Sequence, residues 1–111
     1  MTTTTDPPLD RMVKAIVDEV APEQVILFGS RACGGAAADS DVDLVVVEAA
    51  PFGPGRDRRA EAARLCRALA DFDVSKDILV YSSDEVEYWR DSLNHVLARA
   101  LREGQVLYER P

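Results

Sequence analysis

The sequence predicts an α/β fold: a small mixed β-sheet of about four strands flanked by helices, in the order α-β-α-β-α-β-α-β. Three observations carry this. Short apolar, β-branched runs (Val25–Phe28, Val42–Val47, Asp77–Tyr81) alternate with segments whose apolar residues recur at helical spacing. Proline or glycine punctuates the boundaries, as at Pro22, Gly29 and Gly104. Hydrophobic residues make up 47% of the 111 positions, a globular composition that fits one small domain.

Residues 1–8 are expected to form a mobile tail, Thr2 to Thr5 being polar and low in complexity, ahead of a single domain over 9–111. Asp6-Pro7 has the form of a helix N-cap with proline in the first turn. Leu9, Met12, Val13, Ile16, Val17 and Val20 then keep an i, i+3, i+4, i+7 rhythm, and Pro22 closes the helix. Val25 to Phe28 reads as a buried strand that delivers the chain into Gly29-Ser30. Arg31 to Ala38, rich in Gly and Ala, reads as a short helix followed by a loop. Val42 to Val47 is a second strand, with Asp41 at its mouth and Asp43 inside it.

Ala49 to Gly55 holds two prolines and two glycines and is a loop. The next helix is expected to bury Ala62, Leu65, Cys66 and Leu69. Asp77 to Tyr81 is a third strand, starting as early as Val74. Ser82 and Glu85 have capping-box spacing. Beyond them Val86, Trp89, Leu93, Val96, Leu97, Ala100 and Leu101 keep helical register, in one helix or in two broken near Asp91-Ser92. Gly104 stops that segment, and Gln105 to Tyr108 forms an edge strand.

A net charge of −7 and a pI near 4.6 argue against unaided binding to nucleic acid, whose phosphates would be repelled. Cys33 and Cys66 are read as reduced thiols of a cytoplasmic protein. No apolar segment has signal-peptide character or approaches ~20 residues, so neither export nor membrane insertion is expected.

The chemistry concentrates in Gly29-Ser30 and, ten residues on, Asp41-Val42-Asp43. Side chains alternate along a strand, so Asp41 and Asp43 share a face. A charged Asp43 at the head of a doubly buried strand needs neutralising, and Mg²⁺ prefers carboxylate oxygen while leaving sites for water and phosphate. Gly29 permits close backbone approach, and the N–H groups after Ser30 suit phosphate oxygens. The bland alternatives are a strand end that dips into solvent and an ordinary strand-to-helix turn capped by serine. Asp77 fits as a third carboxylate completing a two-metal site. Asp73 is its rival, and Asp39 reads as a loop residue.

Gly29-Ser30-Arg31-Ala32, Gly34 and Ser40-Asp41-Val42-Asp43-Leu44 together resemble the minimal nucleotidyltransferases of the DNA polymerase β-like nucleotidyltransferase superfamily. The likeness runs on through Asp77–Tyr81 to Ala100–Glu109. It implies a polymerase β palm-like fold and transfer of AMP from ATP, with pyrophosphate leaving. Asp41 and Asp43 would hold two Mg²⁺ ions, for which Mn²⁺ can substitute, and Asp77 would hold the catalytic one and help deprotonate the acceptor. Gly29 and Ser30, with Arg31, would hold the β- and γ-phosphates. Where the family often carries a second arginine this chain has Cys33, a departure that would weaken triphosphate binding.

Small proteins of this kind resemble the antitoxin half of modules whose other half is a HEPN-domain RNase toxin, a tyrosine of which receives the AMP. Two other classes stay open: an antitoxin that only binds and occludes its toxin, and a transferase acting on a small hydroxylated molecule. Tyr88 and Trp89 are candidate anchors for a partner helix, with core packing the favoured role for Trp89. Arg56, Arg58, Arg59, Arg64 and Arg67 make one helix basic, a face paired with acids such as Glu61 or a docking surface for an acidic partner. His95 is read as a surface residue.

Overall fold

Four strands form one mixed sheet in the computed structural model of the chain, which describes residues 7–28, 42–72, 76–91 and 96–110. They are β1 (Gln24–Phe28), β2 (Val42–Glu48), β3 (Lys76–Ser82) and β4 (Gln105–Glu109), in the spatial order β3-β2-β1-β4. β1 pairs antiparallel with β2 and β4, while β2 pairs parallel with β3. The helices are α1 (Pro7–Val20), α2 (Arg58–Ala68), α3 (Ser83–Trp89) and α4 (Val96–Glu103). The last helical region is therefore two helices. The expected helix over Arg31–Ala38, positions 1–6 of the tail expected over 1–8 with the Asp6 cap, and Val74 lie outside the described residues, whereas Pro7 and Pro8 of that tail are the first residues of α1.

β2 is flanked on both edges and covered on both faces, which is why its sequence is a continuous apolar run. Val42, Leu44 and Val46 face α1 and α2, packing with Met12, Ile16, Leu65 and Leu69. Val45 and Val47 face the other way, where Leu97 and Ala100 of α4 join Ile26, and Val86 and Trp89 of α3 pack alongside. Burial of each such side chain contributes roughly 1.5–3 kcal/mol.

One buried stripe differs from expectation. On α2 and its C-cap the buried positions are Glu61, Leu65 and the cap residue Leu69, spaced i, i+4, i+8, and Cys66 is exposed. The helix is rotated so that a carboxylate takes the slot expected of an apolar residue. Arg56 and Arg64 make this tolerable, lying 3.7 and 3.8 Å from the Glu61 carboxylate.

Local chemistry fixes the helix ends. Asp57 caps α2 by accepting from the Arg59 N–H at 3.0 Å. The capping box forms at α3: the Ser82 N–H donates to Glu85 Oε1 at 2.9 Å, and the Glu85 N–H donates to Ser82 Oγ at 3.3 Å. α1 ends at Ala21, which sits at φ +47 with its N–H on the Val17 carbonyl, just before Pro22.

The edge strand β3 is held from outside the sheet by Arg58. Its Nη1 donates to the Val80 carbonyl and to Glu85 Oε1, both at 2.9 Å, and Nη2 pairs with Glu85 Oε2. Phe52 and Tyr81 rings lie 5.0 and 5.4 Å from the guanidinium. The hydrogen bond from Arg58 holds the Glu85 carboxyl below its ordinary range. At the opposite edge, β4 meets β1 through an irregularity between Val25 and Ile26, a kink of the kind that blunts edge-to-edge pairing.

The far end of β2 carries a buried ionic network. Glu48 is 5% exposed and accepts from Arg56 Nη2 at 2.7 Å. Arg64 joins Glu61 to Glu19 of α1, its Nε 2.6 Å from Glu19 Oε2. Glu48 Oε2 is buried with no donor among the described residues, unless Glu48 and Glu61 share a proton. Burial pushes the Glu48 carboxyl up to about 7 from the usual 4.5; its hydrogen bond with Glu61 adds to this and Arg56 opposes it.

The folded state thus holds this proton more tightly than the unfolded chain. The associated stabilisation is complete below about pH 4.5 and is lost as pH rises through about 7. At about 1.4 kcal/mol per pKa unit, the ceiling is on the order of 3 kcal/mol. Denaturant titrations should show wild-type stability falling by about 2–3 kcal/mol between about pH 5 and pH 8. Glu48→Gln, neutral throughout, should flatten that fall. A wild-type curve already flat across this range would contradict the assignment.

Candidate active site

Parallel pairing brings two acids from distant parts of the sequence side by side. Asp43 of β2 is registered with Asp77 of β3, and on its other side with Phe28 of β1. Registered residues of neighbouring strands project from the same face, about 4.8 Å apart across the sheet. Asp43 follows the parity of Val45 and Val47, and Asp77 that of Leu79 and Tyr81, so both point to the side that carries α3 and α4. Asp43 is half-buried and Asp77 is exposed. The row lies where the buried run of β2 gives way to solvent.

Two carboxylates this close repel each other, and a shared cation relieves the repulsion. Their oxygens suit a hard divalent ion that keeps part of its hydration, so the donor set fits Mg²⁺ or Mn²⁺. A complete cage is not formed by Asp43 and Asp77 alone: among the described residues no group of three or more His, Cys, Asp or Glu could hold a metal. Asp41, which directly precedes Val42 in sequence, lies outside the described residues. So do Gly29, Ser30 and Arg31, which follow Phe28, and Asp73, Asp39, Cys33 and His95. Of the two rivals for third carboxylate, the structure describes Asp77 and sets it in register with Asp43.

Two features of this region were not legible in the sequence. Phe28 is half-buried in the same cross-strand row as the two acids. Only the pairing of β1 with β2 reveals this, although its place before Gly29 was a hint. Gly104 is the other. It joins α4 to β4 so closely against β1 that an added Cβ would lie 2.8 Å from the Leu27 carbonyl oxygen and 2.7 Å from Ile26 Cγ2. The close fit sets α4 directly against the strand that leads into Gly29.

A family model described as a nucleotidyltransferase domain matches residues 9–108. The chain belongs to the nucleotidyltransferase domain family. Three solved structures are similar to it. A protein from Sulfolobus solfataricus assigned as a nucleotidyltransferase is 18% identical, with 94% of this chain and 79% of that one covered at a TM-score of 0.63. A toxin–antitoxin structure with AMP-PNP is 23% identical, covering 91% of this chain and 73% of that one at 0.57. A toxin–antitoxin MntA–HpeT mutant is 20% identical, covering 91% and 72% at 0.55. At these identities the likeness shows a shared fold. No curated protein matches the chain.

A nucleotidyltransferase domain handles a nucleoside triphosphate. A nucleoside triphosphate is a polyanion, and a chain of net charge −7 can approach it only through cations. Arg58 and Arg64 of α2 are each engaged with carboxylates, as is Arg56 just ahead of the helix, on elements that brace the other face and the far end of the sheet. Among the described residues no helix is long and apolar enough to cross a membrane.

Proposed function

We propose that this domain is a Mg²⁺-dependent minimal nucleotidyltransferase that transfers AMP from ATP to a tyrosine hydroxyl of a HEPN-domain RNase toxin, and so acts as its antitoxin. The observation that carries the reading is the registered pair Asp43 and Asp77, on one face at an accessible sheet end. The fold shared with toxin–antitoxin structures supports the biological setting, one of them with AMP-PNP and another a mutant with two aspartates, two residues apart, replaced by glutamate.

In this reading Asp41, Asp43 and Asp77 hold two Mg²⁺ ions. When bound, these ions supply charge neutralisation at the triphosphate and lower the pKa of the attacking hydroxyl. Gly29 lets the backbone close on the phosphates, and Ser30 and Arg31 donate to the β- and γ-phosphate oxygens. Asp77, the more exposed acid, takes the proton from the acceptor oxygen. That oxygen forms a bond to the α-phosphorus as the bond from the α-phosphorus to the bridging oxygen breaks, and pyrophosphate leaves.

Cys33, standing where the family often has arginine, favours one alternative: an antitoxin that binds its toxin without modifying it. Incubating the chain and a HEPN-domain toxin with Mg²⁺ and ATP labelled at the α-phosphate separates the two. The proposal expects label on a toxin tyrosine, and none with Asp41→Asn or Asp43→Asn. A toxin fully neutralised yet unlabelled would overturn the transfer reaction in favour of occlusion.

A further inference from the structure

We infer that the outer face of α3, centred on Tyr88, is the docking surface for a partner protein that presents a basic, apolar-faced helix. The inference rests on the partner proposed above and names the surface that holds it. Tyr88 is 76% exposed, the largest exposure of a bulky apolar side chain among the described residues. Its ring meets that of Trp89 edge-on, centroids 4.8 Å apart at 87°, and Trp89 packs in turn on the α4-side core. An exposed aromatic held in place by a partly buried one loses little entropy on binding, as an interface anchor should.

Charge identifies the occupant. Asp84 lies one turn before Tyr88 on the same side of the helix, and Asp91 lies in the turn just past the helix end; both are exposed. The other acids of this segment are already matched, Glu85 by Arg58 and Glu87 by Arg90 at 2.8 Å. Asp84 and Asp91 have no cation partner among the described residues. An aromatic face between two uncompensated carboxylates fits an arginine or lysine, which stacks on the ring while its charge meets the acids. Apolar residues beside that cation would cover the rest of the Tyr88 ring.

The surface is separate from the carboxylate row. Tyr88 and Trp89 belong to the helix that Ser82 caps, at the far end of β3 from Asp77. Docking here can therefore be removed without touching Asp43 or Asp77. Tyr88→Ala should leave the melting temperature unchanged, because the side chain buries little, while weakening the toxin complex at least about tenfold. Asp84→Asn with Asp91→Asn should weaken it less at high salt than at low salt. Asp43→Asn should bind the toxin as wild type does.

The test measures affinity for the HEPN-domain toxin by calorimetry, alongside a synthetic arginine–leucine amphipathic helix and its glutamate–leucine counterpart. Tyr88-dependent binding of toxin and arginine helix, with none of the glutamate helix, supports the inference. Toxin binding unchanged by both Tyr88→Ala and the double Asp→Asn variant overturns it and leaves the toxin partnership standing. A wild-type chain that ignores the toxin but holds the arginine helix through Tyr88 keeps the surface and rejects the toxin. Failure of both ligands rejects both.

Discussion

Gly104→Ala should cost at least about 3 kcal/mol of folding stability, at the upper end of the range for overpacked positions. The added methyl carbon would stand 2.4 Å from the Ala100 carbonyl oxygen and 2.8 Å from that of Leu27, with Ile26 Cγ2 at 2.7 Å. Two of these three atoms are backbone, and they belong to different elements, α4 and β1. Moving α4 outward would open the core of Ile26, Val45, Val47, Leu97 and Ala100. Moving β1 would strain its pairing with both β2 and β4. The Gly104 N–H also donates to Ala100 O at 2.8 Å, so the helix end has little room to rearrange. Thermal and denaturant unfolding measure the effect. A melting temperature within a few degrees of wild type would show that this junction is softer than its distances indicate.

Asp43→Asn should abolish nucleotidyl transfer while leaving the fold intact. The substitution keeps the side-chain shape and its place in register with Asp77, so the strand pairing should hold. Activity should fall on the order of 10³-fold, the equivalent of several kcal/mol of charge stabilisation in the transition state. Asp77→Asn should behave alike. The check is kcat/KM with α-labelled ATP, paired with a melting curve on the same preparation. Full activity in Asp77→Asn beside an inactive Asp73→Asn would transfer the third carboxylate role to Asp73.

The sequence disclosed what depends on neighbours along the chain and concealed what depends on strand pairing. The Val45–Val47 run predicted a doubly buried strand because such a strand has no polar face to alternate. Ser82 and Glu85 predicted their reciprocal cap because both partners lie within one turn. Cys66 was misread as buried. Helical spacing alone could not tell its stripe from the one containing Glu61, whose burial depends on Arg56 and Arg64. Asp43 and Asp77 were each visible as acids at strand starts. Their register was not, since it requires that β2 and β3 run parallel and adjacent across the intervening helix α2. Phe28 joined the row for the same reason.

Nucleotidyl transfer by this domain requires that the row bind a divalent cation together with a nucleotide. Crystals soaked with Mn²⁺ and a nonhydrolysable ATP analogue test this directly through the anomalous signal of manganese. The account predicts a manganese peak within carboxylate coordination distance of Asp43 and Asp77, with the analogue's phosphates beside it toward Gly29 and Ser30. Manganese absent from both acids, or a nucleotide bound elsewhere on the domain, would contradict it.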